Sequence, residues 1–245
     1  MKIQIKRQDQ ASLDQEINLV EYTFKEFYDE TVLQSLIEIK TNQDATLNFR
    51  SGCKSGVCGS CAVMVNGVEK LACKTMVKNG DVLEPLRNAK VIRDLVIDLD
   101  YEQQRLTQAH AFLDDKSNDE VTIADEKAID VQSNCILCQS CYSSCPVYEV
   151  NPDFIGPYAL TRTLRYVNDK KENNIKKKID AVQENGVWDC TLCGNCTMVC
   201  PQAIDPKMDI INLRNKSAQF GYTDPNMANM NMGFNADFGF NPNGF

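Results

Sequence analysis

Apolar and polar residues alternate at the start of the chain, where Ile3 and Ile5 are each flanked by polar neighbours. This period of two predicts a half-buried β-strand, and residues 18–24 predict a second strand. Thr31 stands where it can cap a short helix. One apolar face of that helix contains Val32, Leu33, Leu36 and Ile37.

A hairpin is predicted where Asn66-Gly67 separates two apolar runs, Ala62–Val65 and Val68–Ala72. Asn-Gly is the dipeptide that two-residue hairpin turns favour, because both positions need a positive φ. Residues 91–99 are too rich in Val, Ile and Leu for a free linker. We therefore expect a small mixed β domain in this first part of the chain.

The pattern becomes helical from Val131 onward. Gly156-Pro157 predicts the start of a helix whose shared apolar face contains Leu160, Leu164 and Val167. Further helices are predicted over residues 170–183 and 206–219. The helix over 170–183 is expected to be basic on its outside, where it carries Lys170, Lys171, Lys176, Lys177 and Lys178.

An acidic stretch separates the two patterns and is typical of a solvated linker or face. Only Lys116 and Lys127 oppose its negative residues, which are Asp114, Asp115, Asp119, Glu120, Asp125, Glu126 and Asp130. The chain is thus divided into a β domain (1–105), an acidic linker (106–130), a helical domain (131–218) and a tail (219–245).

The tail is rich in Asn, Gly, Met and Phe and has no periodicity, which predicts disorder in isolation. The alternative is that its phenylalanines are short anchors on a partner; they are Phe234, Phe238, Phe240 and Phe245.

The charge balance argues against a nucleic-acid partner. There are 26 basic and 34 acidic residues, a formal charge of −8, and no basic stripe. No apolar stretch approaches the ~20 residues that span a bilayer, and the N-terminal MKIQIKRQ has no signal-peptide apolar core. We expect membrane contact only through partners.

Twelve cysteines fall into three groups of four. The first group has the plant-type spacing for a [2Fe–2S] cluster, C-x4-C-x2-C with a distant fourth cysteine. Its loop is SGCKSGVCGSC, in which Gly52, Gly56 and Gly59 relax steric limits so that amides can point at the cluster. Zinc is the alternative, but this spacing matches paired C-x2-C knuckles poorly. The predicted ligands are Cys53, Cys58, Cys61 and Cys73.

The other two groups share the run C-x2-C-x2-C-x3-C-P, which is the bacterial ferredoxin spacing. Three cysteines of each run hold one [4Fe–4S] cluster, and the fourth ligates the other cluster. The first cluster is therefore assigned to Cys135, Cys138, Cys141 and Cys200, and the second to Cys145, Cys190, Cys193 and Cys196. Disulfides are the alternative use of so many thiols, but they suit short secreted chains with dispersed cysteines.

Three clusters in one chain indicate electron transfer and no other chemistry. His110 is the only histidine and lies in a charged stretch, where a surface position is expected. No phosphate-binding glycine loop and no nucleophile beside a base is visible in the sequence. The predicted fold is α+β, with an N-terminal plant-type ferredoxin-like β-grasp domain and a C-terminal all-α bacterial-ferredoxin-like domain.

With these residues in place, the chain resembles the iron–sulfur subunit of succinate dehydrogenase and fumarate reductase over about residues 1–218. The segments that carry the likeness are CKSGVCGSCAVMVNG, VIRDLVIDLD, CQSCYSSCPVY, FIGPYAL and VWDCTLCGNCTMVCP. The resemblance implies a subunit without an active site of its own. Its electrons pass between an FAD-containing flavoprotein, where succinate and fumarate interconvert, and a quinone-side subunit.

Cys193 departs from the common members, which lack a cysteine there and hold a [3Fe–4S] cluster as their third centre; a [3Fe–4S] cluster is the alternative for the second cluster of the helical domain here. A filled position resembles the non-classical branch of the methylmenaquinol:fumarate reductase type, whose membrane-side partner is a cysteine-rich subunit. Trp188 lies where a quinone-adjacent tryptophan would be, although packing beside the cluster explains it equally well. Cluster assembly in the cytoplasm and the lack of a visible export signal predict a peripheral location on the cytoplasmic face of the membrane. The resemblance implies the alternative, the periplasmic face after co-export with a twin-arginine flavoprotein.

Two other functions fit some of the same features. An iron–sulfur subunit of a thiol:fumarate reductase, or of another flavin oxidoreductase, would use the same three clusters. A redox sensor would need an exposed, labile cluster and an output module, and no such module is visible.

Overall fold

The computed structural model describes residues 1–8, 17–24 and 30–225. Five strands form one sheet, namely β1 (Lys2–Arg7), β2 (Asn18–Thr23), β3 (Ala62–Val65), β4 (Val68–Leu71) and β5 (Val82–Glu84). Their order is β2-β1-β5-β3-β4, with β1 and β5 parallel and the other neighbours antiparallel. The strands predicted at the N-terminus and the hairpin at Asn66-Gly67 are confirmed.

Helix α1 (Val32–Asn42) lies against this sheet, as in a β-grasp fold. Thr31 accepts a hydrogen bond from the backbone of Gln34, and the Gln34 side chain accepts one from the backbone of Thr31. This reciprocal cap satisfies backbone donors that the first turn leaves free. The core beneath the helix includes Ile3, Ile5, Leu36, Ile39 and Leu83, all fully buried.

Residues 91–99 form a second small hairpin, β6 (Val91–Arg93) and β7 (Val96–Ile97), in agreement with their apolar character. Asp94 lies in its turn, and its buried carboxylate accepts a hydrogen bond from Arg7 at 2.8 Å and from the backbone of Asn48 at 2.8 Å. The ion pair between Asp94 and Arg7 therefore holds this turn against strand β1 of the main sheet.

The second half of the chain packs around helices α5 (Pro157–Val167) and α8 (Pro206–Gln219). Leu160, Leu164 and Val167 are buried on one face of α5, as predicted. The remaining helices are α2 (Asp100–Gln108), α3 (Ile123–Ser133), α4 (Ser140–Ser143), a 3₁₀ turn (Pro146–Glu149), α6 (Ile175–Ala181) and α7 (Asn195–Met198).

Part of the expected acidic linker is integrated into the helical domain. Ala109 is fully buried in the second core, Ser117 is buried, and the segment ends in helix α3. Asp114 departs from the solvated state expected of it, because its side chain is only 9% exposed and pairs with two lysines. Several other acidic residues of the stretch are exposed as expected, namely Asp115, Asp119, Glu120, Glu126 and Asp130.

Lys178 corrects the expectation that every lysine near helix α6 faces outward. Its side chain is 0% exposed, and its ammonium pairs with Asp114 at 3.0 Å and Glu172 at 2.9 Å. It also donates to the carbonyls of His110 (3.0 Å) and Phe112. Helix α6 is also shorter than the predicted 170–183. The side chain of Asn174 accepts a hydrogen bond from the backbone of Lys177 and so caps the helix one residue before Ile175.

None of the helices in the described residues is long and apolar enough to cross a membrane. The four tail phenylalanines lie outside the described residues. Near the end of the described residues, the Tyr222 hydroxyl donates to Asp180 at 2.7 Å.

Replacing Lys178 by methionine should destabilise the fold strongly. Lys178→Met keeps most of the volume but leaves buried Glu172 without its cation and Asp114 with only one of its two lysines, Lys177, a loss of about 3–5 kcal/mol. The shift in the denaturant midpoint of unfolding measures it. Lys176→Met is the matched control, because Lys176 is 62% exposed in its pair with Asp180 and should cost less than about 1 kcal/mol. Equal shifts for the two variants would contradict the prediction.

Candidate metal centres

The loop from Gly52 to Cys61 wraps its backbone around the sulfur of Cys53. Backbone N–H groups of Ser55 (3.4 Å), Val57 (3.3 Å) and Cys58 (3.3 Å) all donate to Cys53 Sγ. Positive φ angles turn the chain so that these amides point inward, at Lys54 (57°), Gly56 (83°) and Gly59 (72°). The loop is therefore shaped to stabilise negative charge on sulfur.

Gly52 assists the loop in a different way from the other two glycines, since its φ is not in the left-handed region. A Cβ on Gly52 would lie 2.8 Å from Cys58 Sγ. The bare backbone therefore leaves room for that sulfur.

The thiols of this group differ in their surroundings. The Ser55 hydroxyl, followed by the backbone N–H groups of Ser55 and Val57, lowers the pKa of Cys53 to about 5. Burial raises the pKa of Cys61 to about 11, while the backbone N–H of Cys73 donates to Cys61 Sγ at 3.5 Å and opposes that shift. Cys53 and Cys58 are exposed, whereas Cys61 and Cys73 are buried beneath them. Thiolate is the form that ligates iron, and the amide donors of this loop favour it.

The first run of the helical domain meets the last cysteine of the second run. Cys135, Cys138, Cys141 and Cys200 line one pocket. Burial raises the pKa of Cys135 to about 11, and the negative charges of Cys138 and Cys200 add to that shift. The other walls of the cavity are largely apolar, with Ile136, Leu137, Tyr158, Pro201 and Ile204.

The remaining four cysteines form a second set, in which Cys145 joins the three from the second run. Burial raises the pKa of Cys145 to about 11, and the charges of Cys190 and Cys193 raise it further. Burial raises the pKa of Cys196 to about 12, with contributions from Cys190, Cys145 and Cys193. Cys193 is exposed and Cys196 is buried. The charge of Cys196 also acts on Cys141, so the two sets are neighbours.

Both sets have the donor chemistry that iron–sulfur clusters need. Buried thiols with raised pKa values stay neutral by themselves, whereas a bound cation removes the proton outright. Within the described residues, no group of three or more His, Cys, Asp or Glu side chains meets the geometry of a single-ion site. Thiolates around a multi-iron cluster stand further apart than those around one ion.

The β domain clamps helix α4, which connects Cys141 to Cys145. The Asn88 amide donates to the carbonyls of Tyr142 (3.0 Å), Ser143 (3.1 Å) and Cys145 (3.1 Å). The Ser143 hydroxyl donates to buried Glu69 at 2.7 Å. Sequence reasoning missed this clamp, because Asn88 and Glu69 lie in no recognisable motif.

Arg214 and Trp188 flank the second set. Arg214 donates to the carbonyls of Val187 (2.8 Å) and Cys190 (2.7 Å), and its guanidinium stands 5.5 Å from the centre of the Trp188 ring. The indole donates to Gln183 at 2.9 Å. Packing and this hydrogen bond account for the half-buried tryptophan. His110 belongs to none of the thiol sets; it is half-buried beside Asp114.

The three thiol sets follow one another through the protein: the loop adjoins the first helical set, and that set adjoins the second. Cys58 of the loop and Cys138 of the first helical set line a common pocket. The Gln202 amide, two residues after Cys200, donates to the carbonyl of Gly56 at 3.2 Å. The fold and the site thus define an iron–sulfur electron-transfer protein made of two ferredoxin-like domains.

Comparisons with known proteins agree with this class. A 2Fe-2S iron-sulfur cluster binding domain matches residues 2–104, and a 4Fe-4S dicluster domain matches residues 131–204. The matches support one [2Fe–2S] cluster and two [4Fe–4S] clusters.

Similar curated proteins and a solved structure point to one family. The fumarate reductase iron-sulfur subunit of Mycobacterium tuberculosis is 39% identical over 189 residues, which cover 71% of this chain and 76% of that protein. The fumarate reductase iron-sulfur subunit of Escherichia coli O157:H7 is 37% identical over 191 residues, covering 73% and 78%. The mitochondrial succinate dehydrogenase [ubiquinone] iron-sulfur subunit 1 of Oryza sativa is 33% identical, covering 75% and 69%. A chain of the Mycobacterium smegmatis Sdh1 complex in the apo form superposes with a TM-score of 0.78 at 25% identity, covering 91% and 97%.

The chain belongs to the family of fumarate reductase and succinate dehydrogenase iron–sulfur subunits. The resemblance that the sequence motifs carried is thereby confirmed, as are the α+β fold with its two ferredoxin-like domains and the expected cluster types.

Removing the Ser55 hydroxyl should lower the reduction potential of the [2Fe–2S] cluster. The Ser55 hydroxyl lowers the pKa of Cys53, so it favours negative charge there and with it the more negative, reduced state of the cluster. Potentiometric EPR titration of Ser55→Ala measures the shift. Ser51→Ala is the control, since Ser51 is exposed in the same loop and has no hydrogen bond to a cysteine within the described residues. An unchanged or raised potential in Ser55→Ala would contradict the role of Ser55.

Proposed function

We propose that this chain relays single electrons within a fumarate reductase or succinate dehydrogenase complex. The electrons pass between a flavoprotein that carries FAD and the dicarboxylate site, and a subunit on the quinone side. The observation that carries the proposal is the succession of three thiol sets, each next to the following one. The names of the relatives supply the reaction.

The proposed ligands follow the sequence assignment. The [2Fe–2S] cluster is held by Cys53, Cys58, Cys61 and Cys73. The first [4Fe–4S] cluster is held by Cys135, Cys138, Cys141 and Cys200, which share a cavity. The second is held by Cys145, Cys190, Cys193 and Cys196, whose charges act on one another. The amide-rich loop and the buried thiols support these assignments.

The second cluster is the proposed exit toward the quinone-side partner. Cys193 is exposed, and Met198, five residues further along the chain, is 85% exposed, so this end of the relay lies at the protein surface. A thiolate at position 193 favours a cysteine-rich partner of the non-classical branch. The complex is proposed to sit at the cytoplasmic face of the membrane, with the periplasmic face as the alternative after co-export with the flavoprotein.

Fumarate reduction should require the flavoprotein. The chain purified by itself and loaded with clusters should show no turnover with reduced viologen and fumarate, because the FAD and the dicarboxylate site are proposed to belong to the flavoprotein. Addition of the flavoprotein subunit should restore turnover, followed by viologen absorbance. Activity of the single chain, or inactivity of the anaerobically assembled complex, would contradict the proposal.

Cys193→Ser should convert the second [4Fe–4S] cluster into a [3Fe–4S] cluster. A serine hydroxyl is rarely ionised and ligates iron poorly, so one iron is released and the three remaining cysteines hold the rest. Iron analysis should fall by one from about ten per chain, the sum expected for one [2Fe–2S] and two [4Fe–4S] clusters. A [3Fe–4S] EPR signal should appear in the oxidised protein.

Thr191→Ser provides the control for this experiment, because Thr191 is exposed two residues before Cys193 and is not a proposed ligand. The control should keep all its iron. If Cys193→Ser also kept all its iron with an unchanged EPR spectrum, Cys193 would not be a ligand, and the placement in the non-classical branch would be lost.

A further inference from the structure

Gly59 lies where the [2Fe–2S] loop touches the first cysteine run. Its φ is +72°, and a Cβ built on it would stand 2.8 Å from Cys138 Cβ and 2.9 Å from Cys138 Cα. The carbonyl oxygen of Ile136 would also be 2.9 Å away. Separations below 3.0 Å are not tolerated by a real Cβ, so any side chain here forces something to move.

The neighbours of Gly59 have little freedom to move. Two of the three atoms belong to the backbone, and both Ile136 and Cys138 pack against the core of the β domain. The next residue, Gln139, is 2% exposed; its amide donates to Glu102 at 2.6 Å, and it accepts from the Tyr101 hydroxyl at 3.3 Å. Contacts with both domains therefore hold residues 136–139 in place. A side chain at position 59 would push the [2Fe–2S] loop and this segment apart.

Gly56 offers a comparison with position 59. It lies in the same loop with a φ of +83°, but the three atoms nearest to a Cβ there would be side-chain carbons of Lys74, at 2.9 to 3.5 Å. The lysine chain is flexible and can swing away. The Gly56 carbonyl accepts a hydrogen bond from Gln202 of the helical domain, but a side chain at position 56 would press first on Lys74 and not on the backbone of that domain.

We propose that Gly59 is a positioning residue that sets the distance between the [2Fe–2S] cluster and the first [4Fe–4S] cluster. By having no side chain, it allows the ligand-bearing loops at Cys58 and Cys138 to make direct contact across the two domains. Electron tunnelling and magnetic coupling between the clusters both fall steeply with distance, so both depend on this contact. The inference rests on the proposed ligand assignment.

The test uses the cluster-loaded full chain with Gly59→Ala and Gly59→Asn. Asparagine tolerates a positive φ better than alanine, so Gly59→Asn retains the steric conflict with less backbone strain. The measurement is the microwave power that half-saturates the reduced [2Fe–2S] EPR signal, with the first [4Fe–4S] cluster poised first oxidised and then reduced. Gly56→Ala and Gly56→Asn are the matched controls.

In the unsubstituted chain, reduction of the [4Fe–4S] cluster should speed relaxation of the [2Fe–2S] signal and raise the half-saturation power. The Gly59 variants should lose that enhancement while keeping their iron and both reduced signals, and the Gly56 variants should keep it. A full enhancement in the Gly59 variants, or an equal loss in the Gly56 variants, would overturn the positioning role.

Two further outcomes separate this inference from the function it rests on. If Gly59→Asn fails to load clusters while Gly56→Asn loads normally, Gly59 acts in cluster assembly and the positioning role is wrong. If the unsubstituted chain itself gives no [2Fe–2S] or [4Fe–4S] signal, the ligand assignment fails first.

Discussion

The packing of the helical domain depends on the crossing of its two cysteine runs. Each run places three thiols in one set and one in the other, so Cys145 must lie beside the second run and Cys200 beside the first. Helices α4 and α7 are consequently held together, while α5 and α8 supply the apolar core that closes around them. A cube of four irons needs four thiolates, and no single run supplies them with this spacing.

The β domain also contributes to holding the cysteine runs of the helical domain in place. Asn88 and Glu69 of the β domain hold the segment between Cys141 and Cys145 through hydrogen bonds to its carbonyls and to Ser143. The segment thus carries proposed ligands for two different clusters and is held by side chains of the β domain. A disturbance at the domain interface would therefore reach both proposed [4Fe–4S] sites.

A buried ion needs a partner of opposite charge, and the buried lysine of the helical domain has two. Lys178 is enclosed in the helical domain, where Asp114 and Glu172 neutralise it. These contacts bring residues 110–114 onto helix α6, so a segment rich in acids becomes part of the domain. The negative charge of this segment suggested solvent exposure, but the compensating cation, Lys178, lies about sixty residues further along the chain.

Local sequence determined a great deal of this protein. The Thr31 cap, the Asn66-Gly67 turn and the starts of α5 and α8 were predicted correctly, because turns, caps and prolines act on their own few residues. The spacing of the cysteines indicated the cluster types and the family. The burial of Lys178, the clamp at Asn88 and the contact of Gly59 with Cys138 were decided only by the tertiary structure. Each joins residues far apart in the chain, and their proximity depends on how whole elements and domains pack, which no local pattern encodes.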